Sequence, residues 1–344
     1  MNKIADISKT RIGVVGGGSW GTALANLLAD KGFKIDFWVF EKEVKAQILE
    51  IKENKVFLPG VTLSSNLFPS NDIETVVTRK DLALIVVPSH VMRETAMKIS
   101  GMIESDTIIV SASKGIENST YLTMSGVLKE CIPGIPEGNF TALSGPSFAK
   151  EVARKVPTAV TVASKDPDAA AFVQCVFAAP FFRVYTNDDV TGVELGGAVK
   201  NVIAIAAGVI DGLGLGLNTR AALITRGLAE IRRLGLALGA KSRTFTGLAG
   251  VGDLLLTCTG DLSRNHTVGK KIGEGMKLKE ILSEMRMVAE GVKTAKSVYN
   301  LSLKLGVEMP ISHEIYRILY EDVSPKEAVL RLMTRDLKRE MDEQ

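Results

Sequence analysis

Residues 11 to 32, RIGVVGGGSWGTALANLLADKG, run from β-branched residues through three glycines into a helical pattern that Gly32 would stop. Gly16, Gly18 and Gly21 stand in G-x-G-x-x-G spacing between that strand and that helix. Gly16 permits a tight turn, Gly18 lets the backbone approach a pyrophosphate, and Gly21 lets the helix lie close to the sheet. The first N–H groups of the helix lack intrahelical partners and favour an anion. Alone the spacing is weak. Here Glu41 follows Gly21 by about 20 positions, just past a second strand-like run, KIDFWVF at 34–40, where an acid meets a ribose hydroxyl. The segment therefore predicts a dinucleotide site. Glu41 favours NAD and the neighbouring Lys42 favours NADP, while Phe40 can stack on adenine but has no side-chain hydrogen bond for a phosphate. Both cofactors stay open.

Working outward, short apolar runs recur at 82–89 (LALIVVPS), 107–115 (TIIVSASKG), 140–147 (FTALSGPS), 157–164 (PTAVTVAS) and 181–187 (FFRVYTN), with a helical pattern at 167–178. Strands alternating with helices predict a mostly parallel, doubly wound sheet covered on both faces, that is, an α/β Rossmann-like unit. From about residue 190 helical periods dominate, as in 219–239 and 317–333, so an all-α unit is expected to follow. The expected division is 1–190 for dinucleotide binding and 191–344 for substrate and catalysis.

Composition narrows the class. Of 344 residues 46% are hydrophobic and 24% charged, and Lys plus Arg (42) barely exceed Asp plus Glu (39). That is an ordinary globular chain with no nucleic-acid footprint in its total charge. Cys131, Cys175 and Cys258 are odd in number and far apart, as are His90, His266 and His313, so neither a disulfide framework nor a metal site is expected. The opening MNKIADISKT lacks the apolar run of a signal peptide, and a cytoplasmic location is expected.

The greasiest stretch, LGGAVKNVIAIAAGVI at 195–210, is interrupted by Lys200 and Asn201 and followed by Asp211. Charges at bilayer depth are expensive, so a buried helix is expected instead of a membrane span. On a helix over 195–211, Lys200 shares a face with Gly196, Gly197, Ala204, Ala207, Gly208 and Asp211. Such a stripe admits either a ligand beside the ammonium or a closely packed helix with the lysine reaching for the rim. The stretch 244–269, TFTGLAGVGDLLLTCTGDLSRNHTVG, favours the first. It supplies Asp253, the guanidinium fork of Arg264 for a phosphate, and the neutral donors Ser263 and Asn265. Ser263 could equally cap a helix. Lys114 and the group Gly145, Pro146, Ser147 each end a strand-like run, where open α/β sheets bind ligands, although a lone loop lysine is usually solvated and the second group by itself reads as a turn.

Seven segments, GGGSWGTALA, SASKGIE, SGPSFAKEV, GGAVKNVIAIAAG, GLAGVGDLLLTC, SRNHTVG and VAEGV, occur in an order and spacing that resembles the bacterial NAD(P)-dependent glycerol-3-phosphate dehydrogenases from end to end. The resemblance implies a cytoplasmic homodimer that transfers hydride between NAD(P)H and dihydroxyacetone phosphate. The product, sn-glycerol 3-phosphate, would enter glycerophospholipid biosynthesis, and neither a nucleic-acid partner nor a membrane span is expected. It implies that Gly16, Gly18, Ser19, Trp20, Gly21, Phe40, Lys114, Ala149, Arg264, Val288 and Glu290 contact the dinucleotide. Substrate contacts would be Lys114, Gly145, Ser147, Lys200, Asp253, Ser263, Arg264 and Asn265, with Lys200 the proton acceptor and Asp253 its catalytic companion. No metal is implied. Phe40 stands where many members carry a basic residue or histidine, which weakens a strict NADP preference. Lys114, Lys200 and Arg264 against Asp253 leave a surplus of two positive charges, matching a phosphate dianion. Burial, Lys114 and Arg264 would lower the Lys200 pKa, and Asp253 or a phosphate would raise it. The competing readings are another two-domain hydroxy-acid dehydrogenase and a non-catalytic dinucleotide-binding redox sensor.

Overall fold

The computed structural model describes residues 7–285 and 289–340. Eight strands form one sheet: β1 (Ile12–Val15), β2 (Ile35–Trp38), β3 (Leu67–Ser70), β4 (Leu82–Ile85), β5 (Ile108–Ser111), β6 (Phe140–Ser144), β7 (Thr158–Ala163) and β8 (Phe182–Asn187). Their order is β3-β2-β1-β4-β5-β6-β7-β8. The pairs from β3 through to β6 are parallel, Ile12 lying opposite both Ile35 and Leu82. β7 turns antiparallel to β6, with Leu143 opposite Val162, and β8 then runs parallel to β7. The expected α/β sheet is present, and every strand-like run expected from the sequence lies on a strand. β3 is an addition. It gave no sequence signal because Phe68 is half exposed and Pro69 removes a ladder donor, properties tolerated on an edge strand.

β1, β4 and β5 are buried along their whole length, as parallel strands covered on both faces must be. One apolar layer holds Val14, Leu24, Leu84, Val110 and Leu143. The opposite layer holds Val15, Ile85, Ile109 and Phe140. Beyond β8 the described residues form helices and turns only, packed around a central helix, Val190–Gly212, longer than the 195–211 of the sequence reading. Asp189 caps it, accepting from Gly192 N (2.9 Å), Thr244 Oγ1 (2.6 Å) and Lys241 N (2.8 Å).

This helix is long and apolar enough to cross a membrane, but its apolar window is entirely buried inside the molecule. Its C-terminal half crosses the helix Arg264–Gly273 at backbone contact. A Cβ on Gly208 would lie 2.0 Å from His266 O, and one on Gly269 2.0 Å from Ile205 O. Close packing is thus realised on the C-terminal half of this helix, while Lys200, nearer its N-terminus, is buried and does not reach the rim.

Candidate active site

Gly16, Ser89, Lys114 and Gly145 follow β1, β4, β5 and β6 respectively, so all four stand at the C-terminal edge of the parallel strands. Crevices at this edge are where open α/β sheets place ligands. Gly16 has φ +124°, a conformation that side chains resist, and a Cβ there would meet Val86 O at 2.3 Å. A Cβ on Gly21 would meet Gly16 O at 2.0 Å, so the helix Ser19–Asp30 rests directly on the turn. Gly18 differs: nothing lies within 4 Å of where its Cβ would be, and no side chain caps the helix there. The indole N–H of Trp20 is buried without a partner. Open space before a helix N-terminus fits a dinucleotide pyrophosphate. Ser19 Oγ donates to Phe57 O, and Asn54, which the sequence reading missed, braces the turn by donating to Gly17 O at 2.9 Å. Phe40 is 76% exposed at the end of β2, its ring edge-on to Trp38. Ala149 opens the short helix Ala149–Ala153, whose Ala149 packs, like Trp20, on the apolar layer under the turn.

The second group of residues converges on Asp253. A single π turn, Leu248–Gly252, delivers this aspartate to the head of the helix Asp253–Thr259. A Cβ on Gly196 would strike Ala249 O at 2.3 Å, so the missing side chain lets that turn lie on the central helix. Asp253 is 1% exposed and Lys200 5%. Lys200 Nζ donates to Asp253 Oδ1 and, at 2.7 Å, to Thr257 Oγ1. Asp253 Oδ2 accepts from Lys114 Nζ at 2.7 Å, and Lys114 also reaches Gly145 O at 3.3 Å. Ser147 Oγ donates to the same carbonyl at 3.1 Å. Gly145 has φ +145° and a Cβ there would meet Val160 Cα at 2.9 Å. One buried carboxylate thus holds two ammonium groups from different parts of the chain. Burial lowers the Lys200 pKa to about 7, Asp253 opposing the shift and Lys114 adding to it. Thr257 was also missed, although it lies one helical turn past Asp253 on the same face.

Ser263 caps the helix Arg264–Gly273, accepting from His266 N at 3.2 Å. The capping alternative therefore holds for its side chain. Asn265 is buried and turned inward: its Nδ2 donates to Asn201 Oδ1 (3.0 Å) and its Oδ1 accepts from Gly291 N (2.9 Å). Arg264 is solvent-exposed, and its side chain makes no hydrogen bond or ion pair with any described residue. Surrounding protein lowers its pKa and Glu290 opposes this. Glu290 begins the helix Glu290–Leu305 and bonds to Ser89. Val288 lies outside the described residues. No group of His, Cys, Asp and Glu suited to a metal occurs among the described residues.

A glycine turn closing a parallel strand, in one molecule with a buried lysine held by a carboxylate, marks a dinucleotide-dependent dehydrogenase. Residues 11–170 match the model of the NAD-dependent glycerol-3-phosphate dehydrogenase N-terminus, and residues 189–330 that of its C-terminus. The chain belongs to this family. It is 56% identical over 331 residues to glycerol-3-phosphate dehydrogenase [NAD(P)+] of Syntrophobacter fumaroxidans, covering 96% of this chain and 97% of the relative. The Geobacter metallireducens protein of the same name is 57% identical over 96% of this chain and 98% of its own. A crystal structure of glycerol-3-phosphate dehydrogenase from Coxiella burnetii superposes with a TM-score of 0.91 at 40% identity, over 95% of this chain and all of the other.

Proposed function

We propose that this protein is an NAD(P)-dependent glycerol-3-phosphate dehydrogenase, interconverting dihydroxyacetone phosphate and sn-glycerol 3-phosphate. The observation that carries the mechanism is the buried Lys200, held by Asp253 and Thr257 and titrating near neutrality. The bound dinucleotide supplies or removes the hydride at C2 of the substrate. Lys200 gives a proton to the C2 oxygen in reduction and takes it back in oxidation, work that a lysine near 7 does in both directions. Its ammonium also stabilises charge developing on that oxygen. Asp253 orients Lys200 and Lys114 together, and Lys114 faces both ligands.

Arg264, unpaired within the described residues, would take the substrate phosphate together with the first N–H groups of its helix. Ser263 and Asn265 hold that helix opening in place through their internal bonds. Gly145 and Ser147 complete the substrate pocket. Gly16, Gly18, Ser19, Trp20, Gly21, Phe40, Ala149, Val288 and Glu290 would hold the dinucleotide. On this reading 1–190 binds the dinucleotide and 191–344 carries the catalytic lysine and the phosphate site. By the family's habit, the same reading makes the protein a cytoplasmic homodimer feeding glycerophospholipid synthesis. The three free cysteines suit a reducing compartment.

The test is to mix the protein with dihydroxyacetone phosphate and NADH or NADPH in parallel and follow the loss of reduced-dinucleotide absorbance. Turnover with at least one is expected. No turnover with either, against steady turnover on a keto acid instead, overturns the assignment.

A further inference from the structure

Ser89 follows β4 across Pro88 and opens a short helical turn, Ser89–Val91. It is 6% exposed. Both of its donors go to one carboxylate that is 201 residues away: its N–H donates to Glu290 Oε1 at 3.2 Å and its hydroxyl to Glu290 Oε2 at 2.5 Å. The approach depends on Gly115, the neighbour of Lys114. A Cβ on Gly115 would lie 2.4 Å from Ser89 Cβ and 2.7 Å from Ser89 Oγ, with Glu290 Oε2 only 3.7 Å off. Two turns further along the same helix, Ser297 Oγ donates to Ile116 O at 2.9 Å, so the helix Glu290–Leu305 is docked on the loop that carries Lys114.

We infer that Ser89 is a positioning residue of the dinucleotide site, acting through Glu290. Two donors from one residue fix both oxygens of the carboxylate, and each oxygen keeps a free lone pair. Glu290 is only part-buried, so those lone pairs remain available to a donor group of the dinucleotide. Without the hydroxyl the glutamate would retain one backbone bond, and its side chain would have to be ordered by the ligand itself, at the expense of affinity. This rests on the reading that Glu290 faces the dinucleotide.

The test is a double-mutant cycle read by NADH binding, followed as quenching of protein fluorescence and independent of turnover. Ser89→Ala is expected to raise the NADH Kd about tenfold in the parent protein and to leave it unchanged in Glu290→Ala. The KM for dihydroxyacetone phosphate at saturating NADH is expected to move less than about twofold. An equal effect of Ser89→Ala in both backgrounds, or none in the parent, overturns the inference while the dinucleotide site stands. Unchanged NADH binding in Glu290→Ala overturns both the inference and the placement of Glu290.

Discussion

Replacing Lys200 by methionine is expected to abolish useful turnover and yet stabilise the fold at mildly acid pH. The lysine pKa falls from 10.5 to about 7 on folding because its ammonium is buried. At ~1.36 kcal/mol per pH unit, that fall opposes folding by up to about 5 kcal/mol below pH 7. The sign follows from proton counting. Between the two values the unfolded chain holds a proton that the folded chain has lost, so stability rises with pH across that window. Methionine carries no charge to bury and is close in length. It forfeits the bonds to Asp253 and Thr257, worth roughly 2 to 3 kcal/mol. Asp253 keeps Lys114 at 2.7 Å, so its carboxylate is not stranded. The net expectation is a variant more stable by about 2 kcal/mol near pH 6. The gap should close by ~1.4 kcal/mol per unit as the pH rises through the window and then reverse. Urea unfolding of both proteins at several pH values measures this, and titrating groups that do not interact with Lys200 cancel in the difference. Turnover should fall about a thousandfold with the dinucleotide Kd unchanged. A variant less stable by the same margin at every pH would refute the depressed pKa, and with it the lysine's fitness as a proton donor near neutrality.

Three further substitutions separate the remaining roles. Arg264→Ala should raise the KM for dihydroxyacetone phosphate by about 10- to 100-fold with little change in dinucleotide Kd, because a charge-assisted phosphate contact is lost. A loss confined to dinucleotide affinity would remove Arg264 from the phosphate site. Gly18→Ala should fold normally, its Cβ meeting no protein atom, but should weaken dinucleotide binding by about tenfold or more. Gly21→Ala, whose Cβ would sit 2.0 Å from Gly16 O, should instead lower the melting temperature. Equal thermal destabilisation in both would show that the space beside Gly18 is not a ligand site.

Local chemistry carried much of this protein. The glycine spacing, the buried β-branched runs and the lysine in a stripe of small residues are read within single elements, since strand and helix periods are properties of neighbouring residues. Even Thr257 was accessible, one turn from Asp253. β3 was not, because an edge strand with Pro69 and an exposed Phe68 lacks the pattern of a buried one. Nor could the sequence divide labour among glycines: Gly196 receives the turn before Asp253, while Gly208 receives a helix backbone.

The sequence by itself determined a strand, a glycine turn and a helix at the start of an α/β sheet, and an apolar central helix with a lysine that needed a reason. Only the tertiary structure decided that Lys200 meets a carboxylate 53 residues on, that Lys114 meets the same carboxylate across 139 residues, and that Ser89 holds Glu290. Those meetings depend on how sheet and helices pack, and burial at the place where they pack is what brings the lysine's proton within reach of neutral pH.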